Sequence, residues 1–467
     1  MTKTWIGKLA DIFHQHAIIE DDSTGSDSTF TLASYWLEDC LRNHSCTYQL
    51  PIHSNEPLLP TRVVDVGPPD GTAEPRLHVT TKEDKGPYVT LSHCWGKKPI
   101  IRTLKDNFDE HCKQISMSAL SQTFKDAVIA TRKLNIRYLW IDSLCIIQDS
   151  GEDWSTESKT MCRVYQNCLL TIAAGHADSG AVGCFVKRDG ALNRPFELPI
   201  QPYFLGKDEP FDAWFLPMGS NSPLAVAEPP LHTRAWVLQE QVLSPRTLIY
   251  EGTSIYWQCM VKHGSEKSPQ GGLVLHEPFM KEIRKYLAGK ESESETVKWD
   301  VHWMHTWRAA VQNYTHRGMT KWSDKLIAIY GIADALQKTF GEEYVAGLWK
   351  RDLWMELLWY VPQRPSELLQ MKDRPAYNTY PACRPNDYIG PTWSWASVGS
   401  ALVYYDIAFS LNRNCICRII NVTKDNNVDD DRATLTLEAD VRIAYVRCNY
   451  KVSRQNPLLP TFTKSQE

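Results

Sequence analysis

The runs YVTLSHCWGKKP (88–99), YLWIDSLCIIQD (138–149) and LLTIAAG (169–175) decide the fold of this chain. Each run starts with apolar residues and ends in small, polar or acidic ones, as the strands of a buried sheet do. Amphipathic helical segments separate the three runs, at about 120–134 and 153–167. This βαβαβ pattern predicts a parallel sheet, to which a helix and strands within 231–259 add a fourth unit.

Polar and small residues follow the predicted strands where a ligand would bind. Ligands of open α/β sheets lie beyond the carboxyl ends of the strands. The residues that we expect to line such a site are Ser92, His93, Trp95, Gly96, Asp142 and Gly175. The sequence therefore predicts a substrate-binding site at this edge of the sheet.

The composition is that of an ordinary globular protein. Of the 467 residues, 43% are hydrophobic and 23% are charged, and the net charge is −4. Without a basic tail or an arginine-rich run, we expect no nucleic-acid partner. No apolar run reaches the roughly 18 residues that a membrane span requires, so we expect none. The 13 cysteines are scattered through apolar patterns, which favours reduced thiols and a cytoplasmic location.

Shifts in composition along the chain predict five regions. A flexible N-terminus precedes the sheet domain, and an insertion without periodicity interrupts that domain. A charged linker, a helical region and a region of loops and β-strands follow. The predicted boundaries are 1–35 for the N-terminus, 36–260 for the sheet domain (core 88–174 plus 231–259, insertion 185–230), 261–300 for the linker, 301–360 for the helical region and 361–467 for the end.

Several motifs are near misses. Gly175 and Gly180 have the glycine spacing of a P-loop, but the lysine that would contact phosphates is absent. No G-x-G-x-x-G follows a strand, which argues against a hydride-transfer enzyme. Cys94 and His93 are adjacent on a strand, so their side chains point to opposite faces and cannot easily form a catalytic pair.

A second cysteine motif invites a zinc interpretation. Cys40, His44 and Cys46 have the spacing C-x3-H-x-C, but a second pair of ligands is missing from this stretch. Structural zinc sites use four protein ligands. We therefore expect these residues to serve packing or capping, and we expect no metal in the protein.

Two carboxylates stand near the predicted strand ends. Asp142 ends the second strand, and Glu240 follows Trp236 by four residues on one helix face. A positioned carboxylate can orient a ribose hydroxyl and stabilise an oxocarbenium-like transition state. Structural roles are the alternative, because Asp142 could bind loop amides and Glu240 could pair with Arg234 or Arg246.

Four motifs in order resemble the fungal heterokaryon incompatibility (HET) domain. They are YVTLSHCWG, YLWIDSLCIIQD, the DWSTES…VYQNCLLTIAA run and RAWVLQEQVLSPR, and the likeness extends over about 36–400. The resemblance implies an effector of fungal non-self recognition that triggers growth arrest or cell death. It also implies a flavodoxin-like, TIR-like sheet, because HET domains are distantly similar to Toll/interleukin-1 receptor (TIR) domains.

Some TIR domains cleave NAD with the glutamate of a W-C-x-x-E helix. Trp236 and Glu240 have the same spacing here, although Val237 replaces the cysteine. The resemblance thus implies that Glu240 is catalytic, with Glu157 on the preceding helix as the second candidate. Trp236 and Trp95 would form the walls of the pocket, and Ser92, Gly96 and Gly175 would allow backbone approach.

Two functions of different kinds follow from this resemblance. In the first, the protein is an NAD-cleaving effector that needs no metal or cofactor, with NAD as its substrate. In the second, it is a non-enzymatic signalling module that acts as a homo-oligomer or through a sensor protein on another chain. A Glu240 side chain held in a buried salt bridge, with no cavity beside it, would argue against the first function.

Overall fold

A computed structural model gives the architecture of the chain. It describes residues 22–46, 57–189, 196–200, 211–215, 228–266, 269, 278–288, 301–361, 388–399, 403–404, 417–424 and 433–439. The strands up to residue 266 are β1 Arg62–Asp65, β2 Arg76–Val79, β3 Tyr88–Ser92, β4 Tyr138–Trp140, β5 Leu170–Ala174, β6 Phe196–Ile200, β7 Phe211–Phe215, β8 Arg246–Glu251, β9 Ser254–Cys259 and β10 His263–Ser265. The helices of this part are α1 Asp27–Asn43, α2 Phe108–Lys113, α3 Gln122–Lys133, α4 Asp142–Cys145, α5 Gly151–Asn167 and α6 Ala235–Leu243.

Eight of these strands form one sheet in the order β10-β9-β8-β5-β3-β4-β1-β2. The central strands β8, β5, β3 and β4 are parallel, and antiparallel pairs extend the sheet at both ends. Numbered along the chain, the four parallel strands have the order 2-1-3-4, which is the order of flavodoxin-like folds. The predicted α/β class with a parallel sheet is confirmed.

The strand order determines where a ligand would bind. The connection from β3 runs to one side of the sheet, towards β4, and the later connections run to the other, towards β5 and β8. The topological switch point therefore lies between the carboxyl ends of β3 and β5. Ser92 ends β3, and Gly175 follows β5.

The strands and helices follow from the residue pattern. Every residue of β3 and of β5 is buried, which explains why both read as continuous apolar runs. The amphipathic segment predicted at about 120–134 forms α3, and the residues of one face are buried: Leu120, Phe124, Ala127, Thr131 and Leu134. Ser121 and Ser150 cap α3 and α5, since each side chain accepts a hydrogen bond from a backbone N–H of the first turn.

Two details differ from the sequence prediction. The strand expected at 138–142 ends at Trp140, and Asp142 begins the short helix α4, where its carboxylate accepts from the Ser143 N–H. The insertion is not wholly irregular, because β6 and β7 pair in antiparallel fashion within it. The proline in β6 weakens a strand prediction, and β7 does not alternate between apolar and polar residues, so periodicity alone does not reveal the pair.

The region after residue 277 combines helices with short strands. Its helices are α7 Pro278–Leu287, α8 Val301–His316, α9 Ile327–Phe340 and α10 Leu353–Glu356. Its strands are β11 Tyr344–Val345, β12 Leu348–Trp349, β13 Trp359–Tyr360, β14 Val403–Tyr404, β15 Cys417–Lys424 and β16 Ala433–Ala439. The predicted β-rich C-terminal part is confirmed, because β13 pairs with β14 and β15 with β16.

One hydrophobic core joins the sheet domain to the helical region. Helix α9 packs against α5 and α6, and the buried indoles of Trp303, Trp307 and Trp395 belong to the same cluster as the strands. Within the predicted linker at 261–300, the structure describes β10 and the partly buried helix α7. Most of the other residues of this segment lie outside the described ranges, and the domain boundaries stay predictions. None of the helices in the described ranges is long and apolar enough to cross a membrane.

Candidate functional site

Glu240 lies in the middle of α6 with its carboxyl group in the interior. The side chain is 6% exposed, and its Oε2 atom is buried without a hydrogen bond. The Oγ atom of Ser92, at the carboxyl end of β3, is also buried without a hydrogen bond that meets ordinary geometric criteria. The Ser92 hydroxyl is close enough to the Glu240 carboxyl group to lower its pKa. A functional role is one explanation for buried polar atoms that lack a partner.

The surroundings of Glu240 bring its ionisation close to neutral pH. The pKa of Glu240 is raised to about 7, chiefly by burial and in smaller part by the nearby Asp142 carboxylate. Arg234, Ser92 and Tyr165 act in the opposite direction and lower the pKa. No ion pair within 4 Å holds the Glu240 carboxylate among the described residues, so the salt bridge that we weighed from sequence does not form. Arg246, the other weighed partner, contacts Cys40 instead.

Asp142 organises the loop that follows β3. Its Oδ2 accepts a hydrogen bond of 2.8 Å from the Trp95 indole N–H, and its Oδ1 lies 3.8 Å from Nε2 of His93. His93 is 2% exposed, and burial lowers its pKa to about 4. His93 is therefore neutral at neutral pH, and the hydrogen bond from Trp95 fixes its indole beside the Asp142 carboxylate.

Arg234 connects this loop to α6. It stands immediately before the helix, and its Nη1 donates a hydrogen bond to the carbonyl oxygen of His93. Its guanidinium also favours the ionised form of Glu240. The carboxyl ends of β3 and β4 and the start of α6 are thus tied into one cluster of Ser92, His93, Trp95, Asp142, Arg234 and Glu240, named here the strand-end cluster.

The two predicted glycines hold backbone segments close together. Gly96 has φ +75°, and a Cβ atom there would lie 2.4 Å from Cβ of Ser179 in the loop after β5. A Cβ atom on Gly175 would lie 3.0 Å from the carbonyl oxygen of Tyr250. Both positions therefore require glycine for packing of the loops at the strand ends.

Two predicted residues lie outside the strand-end cluster. Trp236 is half-buried, and its indole interacts with Asp324 of the helical region, lowering the pKa of that carboxyl against the effect of burial. Glu157 lies 3.4 Å from Arg62, which also pairs with Asp153 at 2.7 Å. Burial raises the pKa of Glu157, and Arg62 lowers it. The second candidate is thus part of a buried ion-pair network.

Sequence reasoning missed Tyr165. Its ring is fully buried on α5, and its hydroxyl donates to the carbonyl oxygen of Leu91 at 3.4 Å while interacting with Glu240. No spacing rule links positions 165 and 240, because the contact depends on how α5 and α6 lie on the sheet. The only sequence signal is that Tyr165 falls within the VYQNCLLTIAA run.

The segment that carries this cluster matches a known family. Residues 88–240 match the family model described as heterokaryon incompatibility protein (HET). The chain carries a HET domain. The match starts with the first residue of β3 and ends at Glu240, so it contains the whole strand-end cluster. Searches of curated proteins and of solved structures gave no match.

The geometry of the HET domain allows one kind of chemistry in particular. A carboxyl group with a pKa of about 7 exchanges easily between its acid and its anionic form at neutral pH. The anion can stabilise a developing positive charge, especially where burial excludes water. Neutral His93 and the ordered Trp95 indole add no charge of their own beside it.

Proposed function

We propose that this HET domain protein acts in heterokaryon incompatibility as a cell-death effector that cleaves NAD at Glu240. The observation that carries the proposal is the position of the buried Glu240 carboxyl group, whose Oε2 atom has no hydrogen bond, beside the Ser92 hydroxyl at the carboxyl end of β3. The cluster lies at the carboxyl end of β3, which borders the topological switch point of a flavodoxin-like sheet, where ligands of such folds bind. The Trp-to-Glu spacing of α6, which resembles that of TIR domains, supports the same assignment.

In the proposed reaction, the bond between the ribose and the nicotinamide nitrogen breaks. The bond electrons leave with nicotinamide, and positive charge develops on the ribose. Ionised Glu240 orients a ribose hydroxyl and stabilises this oxocarbenium-like state. Water then forms a new bond to the same carbon and releases a proton, giving ADP-ribose. No electron transfer is needed, so the step balances with water as the only co-reactant.

The neighbours of Glu240 have distinct roles in this proposal. The guanidinium of Arg234 favours the ionised carboxylate that the reaction needs. Asp142 holds the Trp95 indole by a hydrogen bond of 2.8 Å, which gives the site a fixed aromatic surface for a flat base or nicotinamide ring. Because His93 is neutral, it does not repel the positive charge that develops on the substrate.

Nicotinamide release by the purified full-length chain tests this function. We expect the wild-type protein to convert NAD to nicotinamide and ADP-ribose, followed by chromatography. We expect Glu240→Gln to lose at least about a hundredfold in rate, because the amide cannot stabilise the positive charge. Activity of the wild type should rise with pH through about 7, since deprotonation supplies the active form.

A matched control separates chemistry from stability. Glu356 is as deeply buried as Glu240, and burial likewise raises its pKa to about 7, but it pairs with Arg308 outside the HET domain. Glu356→Gln should keep the wild-type rate. If Glu157→Gln abolishes the reaction and Glu240→Gln does not, the second candidate is the catalytic carboxylate. An inactive wild type at protein concentrations that permit assembly would refute NAD cleavage.

A second candidate function is a non-enzymatic signalling module that self-associates or binds a sensor protein. The burial of the cluster favours it, because Ser92 and His93 are each 2% exposed and Glu240 is 6% exposed. A substrate would reach the carboxyl group only after the neighbouring loops move. Under this function, Glu240→Gln leaves both cellular NAD and the biological effect unchanged.

A further inference from the structure

Three cysteines and one histidine meet where α1 approaches β9. The ligand atoms of Cys40, His44, Cys46 and Cys259 all lie within 4.8 Å of one another. The three cysteines are free and buried, and His44 is half-buried. Sγ of Cys259 lies 3.5 Å from Nδ1 of His44.

The end of α1 brings the first three ligands together. Cys40 lies in the last turn, and His44 caps the helix by donating its backbone N–H to the carbonyl oxygen of Cys40 at 3.0 Å. Residues four apart at a helix end lie on the same side. The chain is extended after the helix, and Cys46 returns to the interior, where it is fully buried.

The fourth ligand comes from a distant part of the chain. Cys259 is 215 residues from His44 and ends β9, which packs against α1. Its register partner is Arg246, the first residue of β8. The cysteine–histidine cluster therefore lies at the amino end of β8, opposite the strand ends that carry Ser92.

We propose that Cys40, His44, Cys46 and Cys259 bind one structural Zn²⁺ ion. A set of three thiolates and one imidazole is a common donor set of structural zinc sites, which use four protein ligands in tetrahedral geometry. Soft sulfur ligands select zinc over magnesium or calcium. With Zn–S bonds of about 2.3 Å, tetrahedral sulfur atoms stand about 3.8 Å apart. The ligand atoms are separated by at most 4.8 Å, which is about 1 Å more than this value, so a small inward movement would complete the geometry.

Two N–H groups already point at the sulfur atoms as they would in a metal site. Nε of Arg246 donates to Sγ of Cys40 at 3.2 Å, and the backbone N–H of Lys262 donates to Sγ of Cys259 at 3.1 Å. Such hydrogen bonds orient metal ligands and stabilise thiolates. Three thiolates and Zn²⁺ carry a net charge of −1, which the buried guanidinium of Arg246 offsets. The side chain of Lys262 is paired with Asp39 at 3.1 Å, so it adds no excess charge.

The ion would fasten the N-terminal helix to the edge of the sheet. Trp36 of α1 stacks on Trp257 of β9 with ring centroids 6.2 Å apart, next to the proposed site. Four protein ligands leave no open coordination position, so the site is structural and has no part in the proposed NAD reaction. Its presence or absence is therefore independent of the role of Glu240.

The metal content of the purified full-length chain tests the site. We expect one equivalent of zinc per chain by mass spectrometry of the metals, and a strong chelator should lower the melting temperature. Replacement by Co²⁺ should give the intense visible bands of a tetrahedral ion and a thiolate-to-cobalt charge-transfer band. The cobalt spectrum needs no variant, so it tests the ligand set even if a ligand substitution prevents folding.

Matched alanine variants assign the ligands. Cys46→Ala and Cys259→Ala should each lose the zinc, whereas Cys145→Ala, which removes an equally buried thiol elsewhere in the sheet domain, should retain it. Three results would overturn the proposal. They are a wild-type chain without zinc or a cobalt-thiolate spectrum, zinc that remains in Cys259→Ala, or a disulfide among Cys40, Cys46 and Cys259 in unreduced peptides.

Discussion

Two glutamates in the described part of the chain keep their carboxyl groups in the interior with a pKa near neutrality. Glu240 belongs to the strand-end cluster, and Glu356 pairs with Arg308 in the helical region. Burial is the main cause in both cases, because it penalises the charged form. The difference lies in the partner of the carboxyl group, since Arg308 donates a hydrogen bond to Glu356, whereas no arginine hydrogen-bonds to Glu240 among the described residues. The Oε2 atom is buried without a hydrogen bond in both residues.

The pKa of Glu240 predicts how stability depends on pH. Because burial raises it from 4.5 to about 7, the folded state binds more protons than the unfolded state between these values. The free energy of unfolding therefore falls as pH rises through this window, by about 3 kcal/mol from this group. Glu240→Gln should remove that loss and make the variant more stable relative to wild type at pH 8 than at pH 5.

Urea unfolding at several pH values measures this effect. Glu38→Gln, at an exposed position that pairs with Arg42 on the surface of α1, should leave the wild-type pH dependence unchanged. Parallel stability curves for wild type and Glu240→Gln would show that the carboxyl is not buried in solution. That result would weaken the assignment of an active-site carboxyl tuned to neutral pH.

The sequence predicted several residues of the strand-end cluster, but it did not predict which contacts bring them together. The strand ends predicted that Ser92 and Asp142 lie at one edge, since parallel strands share that edge. Spacing on α6 and the resemblance to TIR domains singled out Glu240. Tyr165 lies near Glu240, whereas Trp236 points away from the cluster and contacts Asp324. Both contacts depend on how the helices are rotated about their axes, which no local pattern determines.

At the scale of elements, the close approach of α9 to α5 and α6 stands out. A Cβ atom on Gly331 of α9 would lie 2.3 Å from Oε1 of Gln239 and 2.4 Å from Cβ of Cys162. The Gly331 N–H donates to the same Gln239 oxygen at 3.1 Å. The absence of a side chain at Gly331 thus lets α9 approach α5 and α6, and its backbone N–H satisfies the buried amide oxygen of Gln239.

Gly331→Ala should destabilise the protein although alanine is the better helix former. Alanine gains about 1 kcal/mol of helix propensity, but overpacking against Cys162 and Gln239 should cost about 1–3 kcal/mol and displace the helix. Thermal unfolding measures the balance, and we expect a lower melting temperature. Gly151→Ala is the control, because nothing lies within 4 Å of its added Cβ atom and the position is helical. A Gly331→Ala variant as stable as Gly151→Ala would contradict the packing of α9.

The element pattern also shows what a sequence can and cannot predict. Apolar runs and helix faces predicted β3, β5 and α3, because local periodicity reflects burial. They did not predict the paired strands β6 and β7, because β6 contains a proline and β7 does not alternate. The contact between α9 and α6 joins residues far apart in the chain, so it follows only from the tertiary structure.

At the scale of the whole molecule, distant segments complete both sites. Arg317, just after α8, donates a hydrogen bond to Gln241 of α6, and the Ala235 N–H at the start of α6 donates to the carbonyl oxygen of Gly318. The helical region thus supports the helix that carries Glu240. Cys259, which is 215 residues from His44, likewise completes the cysteine–histidine cluster from a distant part of the chain. The C-x3-H-x-C motif therefore contains only three of the four ligands.

Cellular NAD and growth are followed together in a fungal host cell that expresses the full-length chain. This measurement tests whether the HET domain stops growth by cleaving NAD at Glu240. We expect NAD to fall before growth stops in cells with the wild-type protein. Cells with equal amounts of folded Glu240→Gln should keep both NAD and growth, and cells with Glu356→Gln should behave as wild type. Growth arrest with NAD intact, or arrest by Glu240→Gln, would contradict the account and show that the HET domain acts by binding.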